Sequence, residues 1–298
     1  MLQTIEDIIH DWQEILDRID IELIIAFVLK KDRNFVLAHN TDIITPHVQQ
    51  EIIVALKKRA QHTPLAYITG EKEFYNRSFF VTPDTLIPRP ETELIIDVIK
   101  QLHSTNFSDT AIIDIGTGSG IIAITLAKEL LPSQKHLDMI ATDISPKTLT
   151  VAKRNATRHS VDDCIRFYVS DLLHNNCLRD LLSASHYTQI IIIANLPYVD
   201  IEEKSTLMTK KESFALQYEP SIALWADDGG LAYYKKLTRQ ILSLKKNNPQ
   251  KTFLLFYEID PKQKDVLTEF MHKNNCTKKD MTFFCDLTGK TRLFSARI

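Results

Sequence analysis

Glycine is scarce in this chain. There are 7 among 298 residues, where about 7%, roughly twenty, would be usual. Three of them, Gly116, Gly118 and Gly120, fall within five positions. A sequence so sparing elsewhere spends its backbone freedom where the chain turns sharply or approaches a ligand. Cysteine is scarce too. Cys164, Cys177, Cys276 and Cys285 have no CxxC spacing, which excludes the usual thiolate frameworks and predicts a reducing, cytoplasmic compartment. No apolar run approaches the roughly 20 residues of a membrane span; Ile21–Leu29 and Ile190–Ala194 are far shorter. The opening Met1–Trp12 is acidic and amphipathic rather than basic and then apolar, so no signal peptide is expected. Neither sign of charge dominates. Lys and Arg number 36 against 38 Asp and Glu, a formal net charge of -2, which speaks against a mainly electrostatic partner such as nucleic acid or a membrane surface. The ten histidines, His47, His62 and His103 among them, show no metal-ligand spacing, and no metal is expected. What remains, 44% hydrophobic and 25% charged, is the composition of an ordinary globular chain.

The first sixty residues read as helices. Ile5, Ile8, Ile9, Trp12, Ile15, Leu16 and Ile19 recur at helical spacing, with Thr4 as N-cap and Asp7 three residues on. A second helix carries Leu23 and Phe27 to Leu29. Thr45-Pro46 opens a third through Val48, Ile52, Leu56 and Ala60. No strand pattern interrupts this stretch. Residues 64–90 mix alternation at Phe79 and Val81 with Pro83, Pro88 and Pro90, predicting a hairpin connector, and Glu91–Leu102 returns to helical spacing. From Ala111 onward strands alternate with helices. The strands are Ala111–Ile115, Leu137–Thr142, Cys164–Val169, Ile190–Ala194 and Thr252–Glu258. The helices are Gly120–Leu131, Pro146–His159, Gly229–Leu244 and Pro261–Asn274. Such alternation predicts a parallel sheet covered on both faces. Met281–Asp286 and Arg292–Arg297, separated by a turn with Gly289, predict a closing antiparallel hairpin.

Two motifs carry chemistry. Asp114-Ile115-Gly116-Thr117-Gly118-Ser119-Gly120 is strand, glycine turn and helix start. Its GxGxG spacing is neither the dinucleotide GxGxxG nor a phosphate loop. The next strand ends in Asp143, where a carboxylate can accept from ribose hydroxyls. Asp114 is placed to orient the loop or to face a ligand's ammonium group. Together these suit S-adenosylmethionine; a ligand-free turn and a nicotinamide cofactor stay open at this point. The second motif, Asn195-Leu196-Pro197-Tyr198, ends an apolar strand on the same rim. Asn195 offers a side-chain carbonyl and Leu196 a backbone carbonyl. Pro197 biases Leu196 to extended backbone, and Tyr198 offers a flat wall. Two such acceptors suit an amide or amino nitrogen about to be methylated, although Asn and Pro also make ordinary turns.

The chain resembles the peptide chain release factor glutamine methyltransferases, the HemK-like family. The resemblance rests on Pro64–Gly70 with Glu73-Phe74, on Leu86-Ile87-Pro88-Arg89-Pro90-Glu91-Thr92-Glu93, and on Asp114–Ala123. It continues through Ala141–Ser145, Tyr218-Glu219-Pro220, Gly229–Tyr234, Glu258-Ile259 and Asp286–Arg292. It implies a Rossmann-like class I methyltransferase: a seven-stranded, mostly parallel α/β sheet with a closing antiparallel hairpin. Residues 1–63 would form a helical substrate-recognition domain, 64–90 a hairpin connector and 91–298 the S-adenosylmethionine-dependent domain. The implied substrate is the glutamine of the Gly-Gly-Gln motif of class 1 release factors, with S-adenosylhomocysteine as product and neither a membrane nor a stably bound nucleic acid as partner. Implied cofactor contacts are Gly116, Thr117, Gly118, Ser119, Gly120, Asp143, Asp171, Leu172 and Asn195. Asn195, Leu196, Pro197 and Tyr198 would form the catalytic and acceptor loop, walled by Phe74, Arg89 and Glu91. The family's tetrapeptide is Asn-Pro-Pro-Tyr. Leu196 keeps the carbonyl but gives up one fixed φ. Asn-Leu-Pro-Tyr is the form of ribosomal RNA adenine dimethyltransferases, so adenine methylation stands as an alternative, and a non-catalytic cofactor-binding module as another. Leu172 replaces a frequent aromatic, and Asp260 a frequent glycine.

Overall fold

The computed structural model describes residues 3–101, 109–131, 138–184 and 186–298. Leu102, His103 and Leu137 lie outside them. The chain forms two compact units, Met1–Glu71 with Met208–Tyr218, and Lys72–Leu207 with Glu219–Ile298.

The first unit runs β1 (Gln3–Thr4), α1 (Ile5–Trp12), α2 (Arg18–Leu29), α3 (Arg33–Ala38), β2 (Ile43–Ile44), α4 (Pro46–Ala60) and α5 (Leu65–Thr69). Thr4 and Asp7 form a reciprocal cap at the start of α1, the Thr4 hydroxyl accepting from Asp7 N at 3.1 Å and the Asp7 carboxylate from Thr4 N at 2.8 Å. Ile5, Ile8 and Ile9 then bury against Ile21, Ile24 and Ile25 of α2 and Ile52 and Leu56 of α4. The one buried carboxylate here among the described residues, Glu22, is held by Arg18 at 2.8 Å and Arg33 at 2.7 Å. Several details differ from the sequence reading. The first helix ends at Trp12, so Ile15 lies outside it and is exposed and Ile19 belongs to α2, and α3 was not expected at all. A short antiparallel pair, Gln3–Thr4 with Ile43–Ile44, interrupts the helices. Thr45 sits at the N-cap of α4 without a side-chain bond, leaving Pro46 at the first helical position as the start signal. Residues 64–90 are not one connector. Leu65 and Ile68 turn α5 onto the helical core, because Pro64 starts a helix there as readily as it ends a strand. The hairpin itself is β3 (Glu71–Phe74) and β4 (Arg77–Phe80).

The second unit continues with α6 (Glu93–Gln101), β5 (Thr110–Ile115), α7 (Ile121–Leu130), β6 (Asp138–Asp143), α8 (Pro146–Arg158), β7 (Ile165–Val169), α9 (Asn176–Ser183) and β8 (Gln189–Ala194). Then come β9 (Val199–Asp200), α10 (Lys204–Leu207), β10 (Trp225–Ala226), α11 (Ala232–Asn247), β11 (Thr252–Glu258), α12 (Lys264–Lys273), β12 (Met281–Cys285) and β13 (Thr291–Arg297). Seven strands make one sheet in the order β12-β13-β11-β8-β5-β6-β7. All neighbours run parallel except β13, which is antiparallel to both β11 and β12. Strand β5 is buried along its whole length, as a strand covered on both faces must be. Alternate residues feed opposite layers. Ile112 and Ile191 join α6 and α7 on one face; Ile113 and Ile192 join Leu237 and Ile241 of α11 on the other.

Asn155, on α8 and fully buried, ties the hairpin to the sheet. It accepts from Phe80 N at 2.7 Å and donates to Phe80 O at 2.9 Å and Ser119 O at 2.8 Å. Removing it strands buried backbone groups, each costing about 1–3 kcal/mol. Asn155→Ala should therefore lose about 3 kcal/mol in urea unfolding; a loss below about 1 kcal/mol would show that the hairpin does not depend on it. Among the described residues, no helix is long and apolar enough to cross a membrane.

Candidate active site

Strand order reverses between β5 and β8, and ligands of open α/β sheets bind at the carboxyl ends beside such a switch. In register, Ile115 stands beside Ala194, and Ala194 beside Tyr257. The residues that follow, Gly116, Asn195 and Glu258, therefore leave the sheet on one rim. A cavity of about 280 Å³ opens there.

The glycine loop forms its floor. Gly116 has φ +72°, and a Cβ there would stand 2.9 Å from the Leu196 side chain, so the two motifs are packed on each other. Thr117 N donates to Thr142 O at 2.8 Å. Asp143 accepts from Gly118 N at 3.1 Å and Ser145 N at 2.9 Å. Burial raises its carboxyl above the usual range while these backbone donors pull it down. Asp114 lies under the loop, accepting at Oδ2 from Thr117 Oγ1 at 2.6 Å and Ala123 N at 3.2 Å. Its Oδ1 is buried with no partner.

Burial pushes Asp114 up to about 7, with Asp143 adding to the rise. Burial likewise pushes Glu258 up to about 7. A carboxyl raised in the fold stabilises it below the unfolded value, and that contribution is lost as pH rises through the folded one. Asp114→Asn should thus gain about 2 kcal/mol on the wild type between pH 5.5 and pH 8, since one pKa unit is about 1.4 kcal/mol. Ligand-free melts at both pH values test this; a pH-independent difference refutes it.

The Asn195 amide is anchored from behind, Nδ2 donating to Thr92 Oγ1 at 3.1 Å. Its carbonyl oxygen is thereby left as an acceptor. Leu196 is buried, and its N–H reaches the Tyr234 hydroxyl at 3.2 Å. Arg89 Nη2 meets Glu219 Oε1 at 2.6 Å, and Glu219 Oε2 accepts from Ile87 N at 3.1 Å. This ties the proline-rich segment to the Glu219–Ala223 loop at the cavity's edge. Leu172 holds φ +55° and lines the cavity, its carbonyl accepting from Ser170 Oγ at 2.7 Å. Asp171 pairs with Lys236 at 2.6 Å.

The fold brings Gly116, Thr117, Gly118, Ser119, Asp143, Asp171, Leu172, Asn195, Leu196, Pro197 and Arg89 around this one cavity. Four expected residues stand elsewhere. Gly120 caps α7 against Ile124 and Ala152 rather than lining the space. Tyr198 turns away, its hydroxyl 3.3 Å from Glu258 Oε1. Phe74 is no wall: it is 2% exposed and packs edge-on to Phe79 inside the hairpin's core, because alternation along β3 sends it inward. Glu91 points to solvent, and the turn Pro90–Thr92 sends Thr92 inward in its place. Thr92, Glu219, Tyr234 and Glu258 were not singled out from the sequence. Each sits in a run that carries the family resemblance, which was the only signal available for them.

Residues 13–70 match the model of the PrmC N-terminal domain, and residues 106–215 that of a methyltransferase domain. The release factor glutamine methyltransferase of Mycoplasma mycoides subsp. mycoides SC is 34% identical over 272 residues, covering 90% of this chain and 88% of that one. The enzyme of the same description from Dictyoglomus turgidum is 37% identical over 243 residues, covering 82% and 78%. The bifunctional methyltransferase of Rickettsia bellii is 31% identical over 277 residues, but the chain spans only 46% of its length. In fold, the chain is similar to the hMettl16 catalytic domain in complex with a MAT2A 3'UTR hairpin, with TM-score 0.56 at 16% identity, covering 91% and 90%.

The protein is a class I methyltransferase, a class whose methyl donor is S-adenosylmethionine and whose product is S-adenosylhomocysteine. Its residues fit that ligand. Asp143 lines the same cavity as the glycine loop, and the backbone at Gly118 is open, with no atom within 4 Å of where a Cβ would stand. With relatives above 30% identity aligned along most of both chains, the chain belongs to the release factor glutamine methyltransferase family.

Proposed function

We propose that the protein methylates the side-chain nitrogen of the glutamine in the Gly-Gly-Gln motif of class 1 peptide chain release factors. The observation that carries this reading is the anchored amide of Asn195. With Nδ2 engaged by Thr92, Oδ1 accepts one N–H of the incoming glutamine, and the Leu196 carbonyl accepts the other. An amide nitrogen is a poor nucleophile because its lone pair is delocalised. Two acceptors that fix both N–H groups set the nitrogen's face toward the methyl carbon, and such orientation is worth about 7–11 kcal/mol in well-aligned systems.

S-adenosylmethionine supplies a methyl group on a cationic sulfur. Gly116–Ser119 hold the ligand by backbone, Asp143 takes hydroxyl donors, and Asp114, buried beneath the loop, braces it through Thr117 and Ala123 N. No strong base is needed beforehand, since the nitrogen sheds its proton only as the new N–C bond makes it acidic. Asn195–Tyr198 include none. Arg89 and Pro197 border the acceptor side. The helical unit is the release factor's recognition element in this reading. Ile15, Ile19 and Ile43 expose more than half of their surface there, an apolar exposure suited to a protein partner.

The experiment is transfer of labelled methyl to a purified class 1 release factor, to the same factor with its acceptor glutamine changed to alanine, and to ribosomal RNA. Label on the intact factor alone is expected. Label on RNA would move the acceptor to adenine, and cofactor binding with no label anywhere would refute catalysis on these substrates.

A further inference from the structure

One buried hydroxyl serves three main-chain groups at the site. Tyr234, near the start of α11, is 0% exposed, with its ring tilted on Tyr257 at 4.9 Å between centroids. Its Oη stands 3.2 Å from Leu196 N and 3.3 Å from Leu196 O, and it also donates to the main-chain O of Glu258. A phenol has one proton and two lone pairs. At 3.3 Å the Leu196 carbonyl lies beyond the usual O–H···O range of about 2.5–3.0 Å, so of the two carbonyls it is that of Glu258 that receives the proton. The oxygen then takes the Leu196 N–H on a lone pair. The Leu196 carbonyl, beside the same hydroxyl, keeps both of its own lone pairs.

We infer that Tyr234 is the positioning residue of the acceptor loop. It pins Leu196 through the backbone N–H and, by giving its proton to the Glu258 carbonyl, leaves the Leu196 carbonyl free for the substrate's amide N–H. This rests on reading Asn195 and Leu196 as the two acceptors. The pin adds to the bias that Pro197 places on the Leu196 backbone, a bias that does not set φ covalently. Leucine has no covalently set φ, although its side chain is buried in the sheet's core cluster beside Gly116. A proline at this position would have its φ set covalently and no N–H to pin. Had the phenol proton gone to the Leu196 carbonyl instead, it would occupy a lone pair that the substrate needs.

The test is Tyr234→Phe, alone and combined with Leu196→Pro. A loop displaced by about 1 Å can cost a hundredfold, so Tyr234→Phe should lower kcat about ten- to hundredfold with the Kd for S-adenosylmethionine within about twofold. Adding Leu196→Pro should bring kcat back to within about threefold of wild type, because the covalent φ replaces the lost pin. A tyrosine that merely fills the core predicts the reverse, since a second buried change would add to the first. Replacing Leu196 by its α-hydroxy acid deletes the N–H with every side chain kept. It should match the Tyr234→Phe loss and add nothing to it, and it decides the matter if Tyr234→Phe does not fold. Unchanged kcat in Tyr234→Phe, no recovery with Leu196→Pro, or additive losses with the hydroxy acid would each overturn the inference. The wild type runs in every assay. If it labels no release factor, the acceptor reading itself fails; if it is active beside an unaffected Tyr234→Phe, only the role of Tyr234 fails.

Discussion

Asn195→Ala should lower kcat for release factor methylation by about 10²–10³-fold, while S-adenosylmethionine affinity changes by no more than about threefold. That range is what removal of one preorganised hydrogen-bonding group costs in other active sites. The split follows from geometry. The Asn195 amide is held at Nδ2 by Thr92 and in the proposed role offers its oxygen to the substrate amide, whereas Gly118 and Asp143 form a separate floor, bonded to each other. Alanine leaves that floor intact. Single-turnover transfer and equilibrium cofactor binding, measured on the same preparation, separate the two effects. Normal turnover in the variant would end the proposed role of Asn195. Thr92→Val, which keeps Asn195 but removes its anchor, should fall between, at about tenfold, and Thr92→Ser should restore activity.

The second large effect is Gly230→Ala. Gly230 has φ +79°, and a Cβ there would fall onto the Tyr198 carbonyl oxygen, far inside van der Waals distance. The same oxygen already accepts from Gln263 Nε2 at 2.8 Å. Neither the backbone conformation nor the space admits a side chain, so the acceptor loop must shift or the fold must yield. Overpacking costs about 1–3 kcal/mol and a strained φ about 1–3 kcal/mol more; the variant should lose about 4 kcal/mol in urea unfolding and turn over poorly at saturating cofactor. Gly118→Ala is the control. Its φ is +57°, but nothing lies within 4 Å of the added atom, so only the conformational cost of about 1–2 kcal/mol applies. Equal losses in the two variants would show that the Tyr198 contact is not what makes glycine necessary at position 230.

The sheet was legible in the sequence because its strands are buried on both faces and therefore read as unbroken apolar runs, as Ile190–Ala194 does. The glycine loop and Asn195–Tyr198 were legible because each is contiguous and sits at a strand's end. What holds them was not. Thr92 reaches Asn195 across 103 positions, Ile87 reaches Glu219 across 132, and Leu196 reaches Tyr234 across 38. Single hydrogen bonds between distant residues leave no periodicity. The misplacement of Phe74 has a similar source. An aromatic residue beside a turn reads equally well as a wall or as a core residue, and only its pairing across β3 and β4 chooses. Asp260 was noted only as an unusual residue after Glu258-Ile259; it accepts from Lys262 N at 2.9 Å and starts the turn into α12.

The first unit is written in two pieces of chain, and that has a consequence for synthesis. Its isoleucine core comes wholly from the segment up to Ile68, so it can collapse while the rest is still being translated. Yet the carbonyl of Gln61 receives its hydrogen bond from Tyr218, 157 positions later, and the ring of His62 meets Phe214. Because chains emerge vectorially and early segments fold first, this small helical body is born with one flank open. It is closed only after most of the parallel strands have left the ribosome, so the earliest part of the protein to gather is among the last to be finished.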